Sequence, residues 1–261
     1  MTGSGNDFVF FDNRDHRHDD LATPGHIAAL CDRRRGIGAD GIVLLDADPE
    51  FDFGMRYYNR DGSLAEMCGN AALCSARLAT TLGMVAPGPF RFRTPSGPVT
   101  ARLTEGTPEI DMTPVTDLQA DAALAREPGE QRIGFARVGV PHLVVLVDDL
   151  EAVDVERRGR ALRHDPSLPQ GANVNFVARR ADGWAMRTYE RGVEAETLAC
   201  GTGTVATVAL LNAWTLAHSG LALHTRCGVD LFADMARGGR APVLRGEGRI
   251  VATGTIVDLP E

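Results

Sequence analysis

This 261-residue chain contains two divergent copies of one pattern, and no other feature constrains its fold as strongly. Met55-Arg56-Tyr57-Tyr58-Asn59-Arg60-Asp61-Gly62 leads into Met67-Cys68-Gly69-Asn70-Ala71. Far downstream, Met186-Arg187-Thr188-Tyr189-Glu190-Arg191-Gly192 leads into Ala199-Cys200-Gly201-Thr202-Gly203. Met and Cys are 13 residues apart in the first copy and 14 in the second. A weaker echo pairs Gly3-Ser4-Gly5-Asn6-Asp7-Phe8-Val9 with Gly171-Ala172-Asn173-Val174-Asn175-Phe176-Val177. A period of about half the chain indicates a duplicated domain, because solenoids repeat every 20–50 residues or so.

Each copy reads alike locally. Phe53 to Tyr58 and Trp184 to Tyr189 are aromatic-rich, partly alternating runs, as strands require. Asp61-Gly62 and Gly192 mark turns. Each Cys-Gly step then opens an Ala-rich stretch. The first is expected to be helical from Asn70 to Leu82, stopping at Gly83, and the second from Thr202 to His218, stopping at Gly220. Arg77 is the one charge on the first helix, and the second carries none before His218. A helix apolar on all sides is a buried helix. Further strands are expected over Phe8–Phe11, Gly41–Leu45, Phe90–Thr94, Leu143–Val147 and Ile250–Val257. The expected fold is therefore α/β, of the α+β kind. It has two pseudo-symmetric, β-rich domains, 1–116 and 117–249, each wrapping a central helix. The polar, Pro-bounded stretch from Pro114 to Pro128 is read as the connection between the two.

Composition narrows the chemistry. All 27 Lys+Arg residues are arginine. A chain without lysine offers no Schiff base to pyridoxal phosphate and no Walker-type phosphate loop. A net charge of -8 with no long basic run argues against a nucleic-acid partner, and the Arg33-Arg34-Arg35 cluster reads as a solvated helix end. No apolar stretch approaches the roughly 20 residues of a membrane span, and the N-terminus lacks a signal pattern, so a cytoplasmic protein is expected. Five scattered cysteines make neither a disulfide framework nor zinc-ligand spacing, so no metal is expected. Cys31, Cys74 and Cys227 read as core thiols.

A cysteine at the first turn of a buried helix faces unpaired backbone N–H groups and the positive end of the helix dipole. Both favour thiolate. The following glycine lets a substrate carboxylate approach the same N–H groups. Two such thiols facing each other across a domain cleft suit inversion at carbon. One removes a proton from one face, the other returns a proton to the opposite face, and no cofactor is needed.

At these residues the chain resembles the diaminopimelate epimerases. The resemblance rests on Gly5-Asn6-Asp7-Phe8, Gly36-Ile37-Gly38-Ala39-Asp40-Gly41, Asn59-x-Asp61-Gly62-Ser63 and Glu66-Met67-Cys68-Gly69-Asn70. It continues through Pro141-His142, Asn173-Val174-Asn175-Phe176, Glu190-Arg191-Gly192 and Glu196 to Gly203, all in family order. It implies interconversion of LL- and meso-diaminopimelate without cofactor, in lysine synthesis and the supply of cell-wall precursors. It also implies two domains, each a mixed sheet or barrel wrapped around a central helix, the first completed by a C-terminal strand over 250–261, with the site between the domains. By position, Cys68 and Cys200 match the catalytic cysteines. Asn6, Asn59, Asn173, Glu190 and Arg191 match side chains that hold substrate, and Gly69-Asn70 and Gly201-Thr202 match the helix starts that cradle its reacting carboxylate. His142 and Glu190 match residues that tune the thiols. The implied partner is a small amino acid, with no membrane or nucleic acid, and a homodimer is compatible.

The chain departs from the family pattern in places. Val140 stands where asparagine is frequent, Ala71 and Leu73 stand where glycine and arginine are common, and both ends look short. Bland readings compete as well. Asn6, Asn59 and Asn173 also suit turns, and His142 alone suits a packed or capping role. Two other functions fit the same residues. One is a racemase of another amino acid on this fold, such as proline or histidine. The other is a non-catalytic thiol redox or amino-acid-binding protein.

Overall fold

The computed structural model describes residues 1–65, 67–218, 220–235 and 241–258. The chain divides into two compact units, Met1–Ile110 with Gly246–Glu261, and Asp111–Arg245.

The first unit contains β1 (Thr2–Gly3), β2 (Asn6–Asn13), α1 (Pro24–Cys31), β3 (Gly41–Asp46), β4 (Phe53–Asn59) and β5 (Leu64–Ala65). They are followed by α2 (Gly69–Thr81), β6 (Phe90–Thr94), β7 (Gly97–Thr104) and β8 (Thr107–Asp111). Neighbouring strands β1/β2, β3/β4, β4/β5, β6/β7 and β7/β8 pair antiparallel, whereas β2/β3 and β4/β6 pair parallel. Alternation sets the buried face. In β6, Phe90, Phe92 and Thr94 point inward while Arg91 and Arg93 are exposed. Phe92 stacks on Phe53 with ring centroids 4.8 Å apart. α2 packs against β1, β4 and β7, and its run of buried alanines (Ala71, Ala72, Ala76, Ala79) admits close strand backbones.

The second unit contains β9 (Val115–Gln119), β10 (Glu130–Val138), β11 (Val140–Val147), α3 (Val155–Arg163), β12 (Asn173–Arg180), β13 (Gly183–Glu190) and β14 (Ala195–Thr197). After them come α4 (Gly201–Ala213), β15 (Leu221–His224), β16 (Asp230–Asp234) and β17 (Val243–Arg245). From β10 onward the ladder repeats that of the first unit. β11/β12 and β13/β15 are parallel, and β10/β11, β12/β13, β13/β14, β15/β16 and β16/β17 are antiparallel. Register matches too: Phe53 opposes Phe92 where Trp184 opposes Leu223. α4 packs against β9 to β12, β16 and β17.

Both duplicated strands and both buried helices form as expected, with four corrections. First, α4 ends at Ala213, short of His218. Thr215 takes a left-handed φ of 60°, the N–H groups of Leu216 and Ala217 return to the Leu211 carbonyl, and the Trp214 indole donates to Ala120 O at 2.7 Å. The two returning N–H groups cap a carbonyl of the last turn, and the indole bond ties Trp214 to the Ala120 backbone, so the chain turns away. Second, residues 250–258 form no strand. Chain pairing there stops at the isolated bridge between Thr2 and Arg249, and residues 259–261 lie outside the described residues. Third, Pro114–Pro128 does not connect the two units: the division falls between Ile110 and Asp111, and β9 pairs with β10 inside the second unit. Fourth, the weaker echo does not mark equivalent strands. Gly3–Val9 lies in β1 and β2, whereas Gly171–Val177 leads into β12, the counterpart of β3.

Candidate active site

Cys68 and Cys200 occupy the same local structure in their respective units. Each is the N-cap of its central helix, with φ/ψ of -137°/117° at Cys68 and -136°/112° at Cys200. The Cys68 carbonyl accepts from Ala72 N–H and that of Cys200 from Thr204 N–H, both at 2.9 Å. The N–H groups of the first turn have no acceptor within the helix and point past the cysteine. Asn70 lies in the first turn of α2 and Thr202 in that of α4. Cys200 is buried and Cys68 half-buried. The Cys200 sulfur lies 3.5 Å from Thr202 Oγ1.

The other thiols differ in character. Burial pushes Cys31 up to about 11 and Cys74 up to about 12, so both stay protonated at neutral pH and behave as core residues. Cys227 departs from the core expectation. It is half-buried in a turn, with its sulfur 3.0 Å from Thr225 Oγ1.

In the first unit, Asn6 and Asn70 are joined directly. Asn70 Nδ2 donates to Asn6 Oδ1 at 2.8 Å, and Asn6 Nδ2 donates to Asp40 Oδ2 at 2.9 Å. Asp40 also accepts from Arg33 at 2.9 Å, and Arg33 forks onto Asp7 with two bonds of 2.8 Å. That guanidinium holds the Asp7 carboxyl below the usual carboxylate range. Arg33 is therefore part of this network rather than a plain solvated helix end. The buried Asn70 Oδ1 has no hydrogen-bond partner among the described residues. Asn59 ends β4 and donates to Ser63 Oγ at 3.0 Å in the turn that follows, as a turn asparagine does.

In the second unit, His142 of β11 lies in register with Asn173 of β12. Asn173 Oδ1 accepts from the backbone N–H of Arg191 at 2.8 Å, and Arg191 Nη1 donates to Gln170 O at 3.2 Å. Burial, and then the positive charge of Arg191, push the His142 imidazole down to about 3, so it is neutral at working pH. Burial raises the Glu190 carboxyl above its ordinary value, and the Thr197 hydroxyl partly opposes this. The second unit also has a concavity of about 220 Å³ lined by Phe135, Arg137, Pro141, Leu168, Gln170 and Gly171 among others; His142, Asn173, Glu190 and Arg191 are not in its lining.

The matched registers also explain Val140. Phe8 pairs with Gly41 as His142 pairs with Asn173, so Val140 fills the slot that Asn6 fills in the first unit. Sequence reasoning passed over Asp40, Arg33, Asn175 and Thr188. Asn175 and Thr188 are wholly or almost wholly buried. Asn175 is a polar residue inside the apolar run Val174 to Ala178, where a side chain must find hydrogen bonds, and that was a legible signal. Among the described residues, no three of His, Cys, Asp or Glu converge as a metal site. Among the same residues, no helix is long and apolar enough to cross a membrane.

Comparison with known proteins gives a consistent picture. A family model described as diaminopimelate epimerase matches residues 1–117 and 134–250. The chain is 46% identical over 273 aligned residues to the diaminopimelate epimerase of Gemmatimonas aurantiaca, covering 99% of this chain and 98% of that one. It is 41% identical over 217 aligned residues to that of Aquifex aeolicus, covering 79% and 77%. Among solved structures, a PhzF-family phenazine biosynthesis protein of Bacillus anthracis superposes with a TM-score of 0.71 at 13% identity, covering 94% of this chain and 91% of that one. A probable proline racemase from Agrobacterium radiobacter superposes with a TM-score of 0.62 at 18% identity, covering 98% and 92%. Likeness at these identities speaks to the fold alone.

Proposed function

This chain belongs to the diaminopimelate epimerase family and is an isomerase, and from that premise we propose that it interconverts LL- and meso-2,6-diaminopimelate through Cys68 and Cys200. The observation that carries the reading is the repeated N-cap geometry, which sets a cysteine before a glycine at the start of each buried helix.

The reaction balances without oxidation or reduction. One cysteine, as thiolate, takes the α-proton, forming an S–H bond and leaving the C–H electron pair delocalised toward the substrate carboxylate. Helix N–H groups at Gly69-Asn70 and Gly201-Thr202 are the donors for that carboxylate as negative charge grows on it. The other cysteine, as thiol, gives its proton to the opposite face of the carbon and becomes thiolate. The reverse reaction exchanges the two roles.

The distal end of the substrate carries its own ammonium and carboxylate. Arg191 offers a planar fork for that carboxylate, and Glu190 an acceptor for the ammonium. Asn6, Asn59 and Asn173 supply neutral hydrogen bonds, while His142 and Glu190 tune the thiols. The proposed setting is the cytoplasm, where thiols stay reduced, in the supply of lysine and of cell-wall precursors.

The test is incubation with LL-diaminopimelate in deuterated water under reductant. Meso product carrying deuterium at one α-carbon is expected. Turnover surviving in Cys68→Ala or in Cys200→Ala would overturn the two-thiol mechanism.

A further inference from the structure

Asn175 lies on β12 two residues after Asn173, and is fully buried. Its amide orientation is settled by its neighbours. The Leu143 backbone carbonyl can only accept, so the atom 3.0 Å from it is Nδ2. Oδ1 correspondingly accepts from the Thr188 hydroxyl at 2.9 Å. The same Nδ2 lies 3.3 Å from Nδ1 of His142. With one Nδ2 hydrogen on Leu143 O, the other points at His142, whose Nδ1 must then present a lone pair. In a neutral imidazole the proton is then on Nε2. That Nε2 is buried and has no hydrogen-bond partner among the described residues. A buried donor without a partner costs stability and so calls for a reason.

Asn175 also lies close to the helix start that carries Cys200. A Cβ placed on Gly203, in the first turn of α4, would lie 2.3 Å from Asn175 Oδ1 and 3.2 Å from Cys200 Sγ. Amide and thiol therefore flank the same glycine.

We propose that Asn175 is a positioning residue that locks His142 in its Nε2–H tautomer, keeping a neutral hydrogen-bond donor ready for the anion that forms in this part of the site during turnover. A donor of this kind steadies a thiolate or carboxylate without surrendering its proton. The opposite tautomer would turn a lone pair toward that anion. The burial of His142 and the nearby Arg191 charge, which keep the ring neutral, agree with this arrangement. The inference rests on the epimerase reading for the role of His142, but the tautomer itself does not depend on it.

The test combines nitrogen-15 NMR of the imidazole with kinetics. In the wild-type protein, the His142 signals should show a protonated Nε2 and a bare Nδ1. Asn175→Asp replaces the donor with an acceptor and should put a proton on Nδ1. We expect kcat for LL-diaminopimelate to fall by about tenfold or more in this variant, with KM changed less than about threefold. A wild-type spectrum with Nδ1 protonated would overturn the proposal, as would a folded Asn175→Asp variant with altered tautomer and unchanged kcat. If that variant does not fold, the wild-type spectrum alone decides. Absence of epimerase activity in the wild type would instead sink the functional reading and leave the tautomer to be judged by its spectrum.

Discussion

Gly203 and Asn175 are packed so closely that the glycine has no room for a side chain: its Cβ would stand 2.3 Å from Asn175 Oδ1. Both residues are buried, and the neighbouring Cys200 sulfur would lie 3.2 Å from the same atom. Gly203→Ala must therefore displace the amide, the thiol or the helix. The expected cost is about 1–3 kcal/mol, the usual penalty for overpacking, measured by urea unfolding. A fall in kcat of about tenfold or more should accompany it. An unchanged unfolding midpoint would show that Asn175 is not held there.

Glu190 supplies a pH test. Burial raises its carboxyl pKa above the ordinary value of 4.5, so between that value and the raised one the folded state holds more proton than the unfolded state. Stability attributable to this group therefore falls as pH rises from about 4.5 through the raised value, and the deficit persists above it. Glu190→Gln, which keeps the shape and removes the charge, should gain more in Tm over wild type at pH 7 than at pH 4. Equal gains at both would show that burial does not penalise the carboxylate. The same variant should raise KM for diaminopimelate, since the ammonium loses a charged acceptor.

Asp40 orients Asn6. Replacing it with alanine removes the acceptor for Asn6 Nδ2 at 2.9 Å, for Asp7 N–H at 3.3 Å and for Arg33 at 2.9 Å. Because Arg33 is exposed and Asp40 half-buried, the stability loss should be modest, about 1 kcal/mol. The larger effect should be a several-fold rise in KM, because the Asn6 amide no longer has its Oδ1 held toward Asn70. Steady-state kinetics with an unchanged KM would separate Asp40 from the site.

Arg191→Lys tests whether a chain without lysine relies on the guanidinium fork. Its Nη1 donates to Gln170 O, whereas its backbone N–H, which binds Asn173, is untouched by the change. Stability should therefore stay within about 0.5 kcal/mol. KM should rise by about tenfold, because an ammonium cannot replace a two-bond carboxylate clamp. Kinetics that match wild type would remove Arg191 from the distal subsite.

Much of the architecture was legible from local pattern. Phe53 to Tyr58, Trp184 to Tyr189 and the two Cys-Gly helix starts could be placed because alternation, turn glycines and helix composition act over a few residues. The candidate site residues read from sequence are those that the repeat or the family motifs single out, from Asn6 and Cys68 to Arg191 and Cys200. What escaped depended on distant partners. The end of α4 is settled by a left-handed Thr215 and an indole bond to Ala120, some ninety residues upstream. The extended-looking Ile250–Val257 run finds no neighbouring strand beyond the Thr2–Arg249 bridge, and β propensity without a partner leaves no ladder.

The sequence by itself determined the duplication, the central helices and the identity of the two N-cap cysteines, since each follows from periodicity and from which residue precedes a helix. Tertiary structure alone decided which groups those motifs are held by. The Asn6–Asp40–Arg33–Asp7 network ties β2 to the segment between α1 and β3, and the Asn175 amide between Leu143, Thr188 and His142 ties β12 to β11 and β13. Folding brings these groups within 2.8–3.3 Å. Hydrogen bonds act only at such separations, so the proton position on His142 follows from β11, β12 and β13 lying side by side.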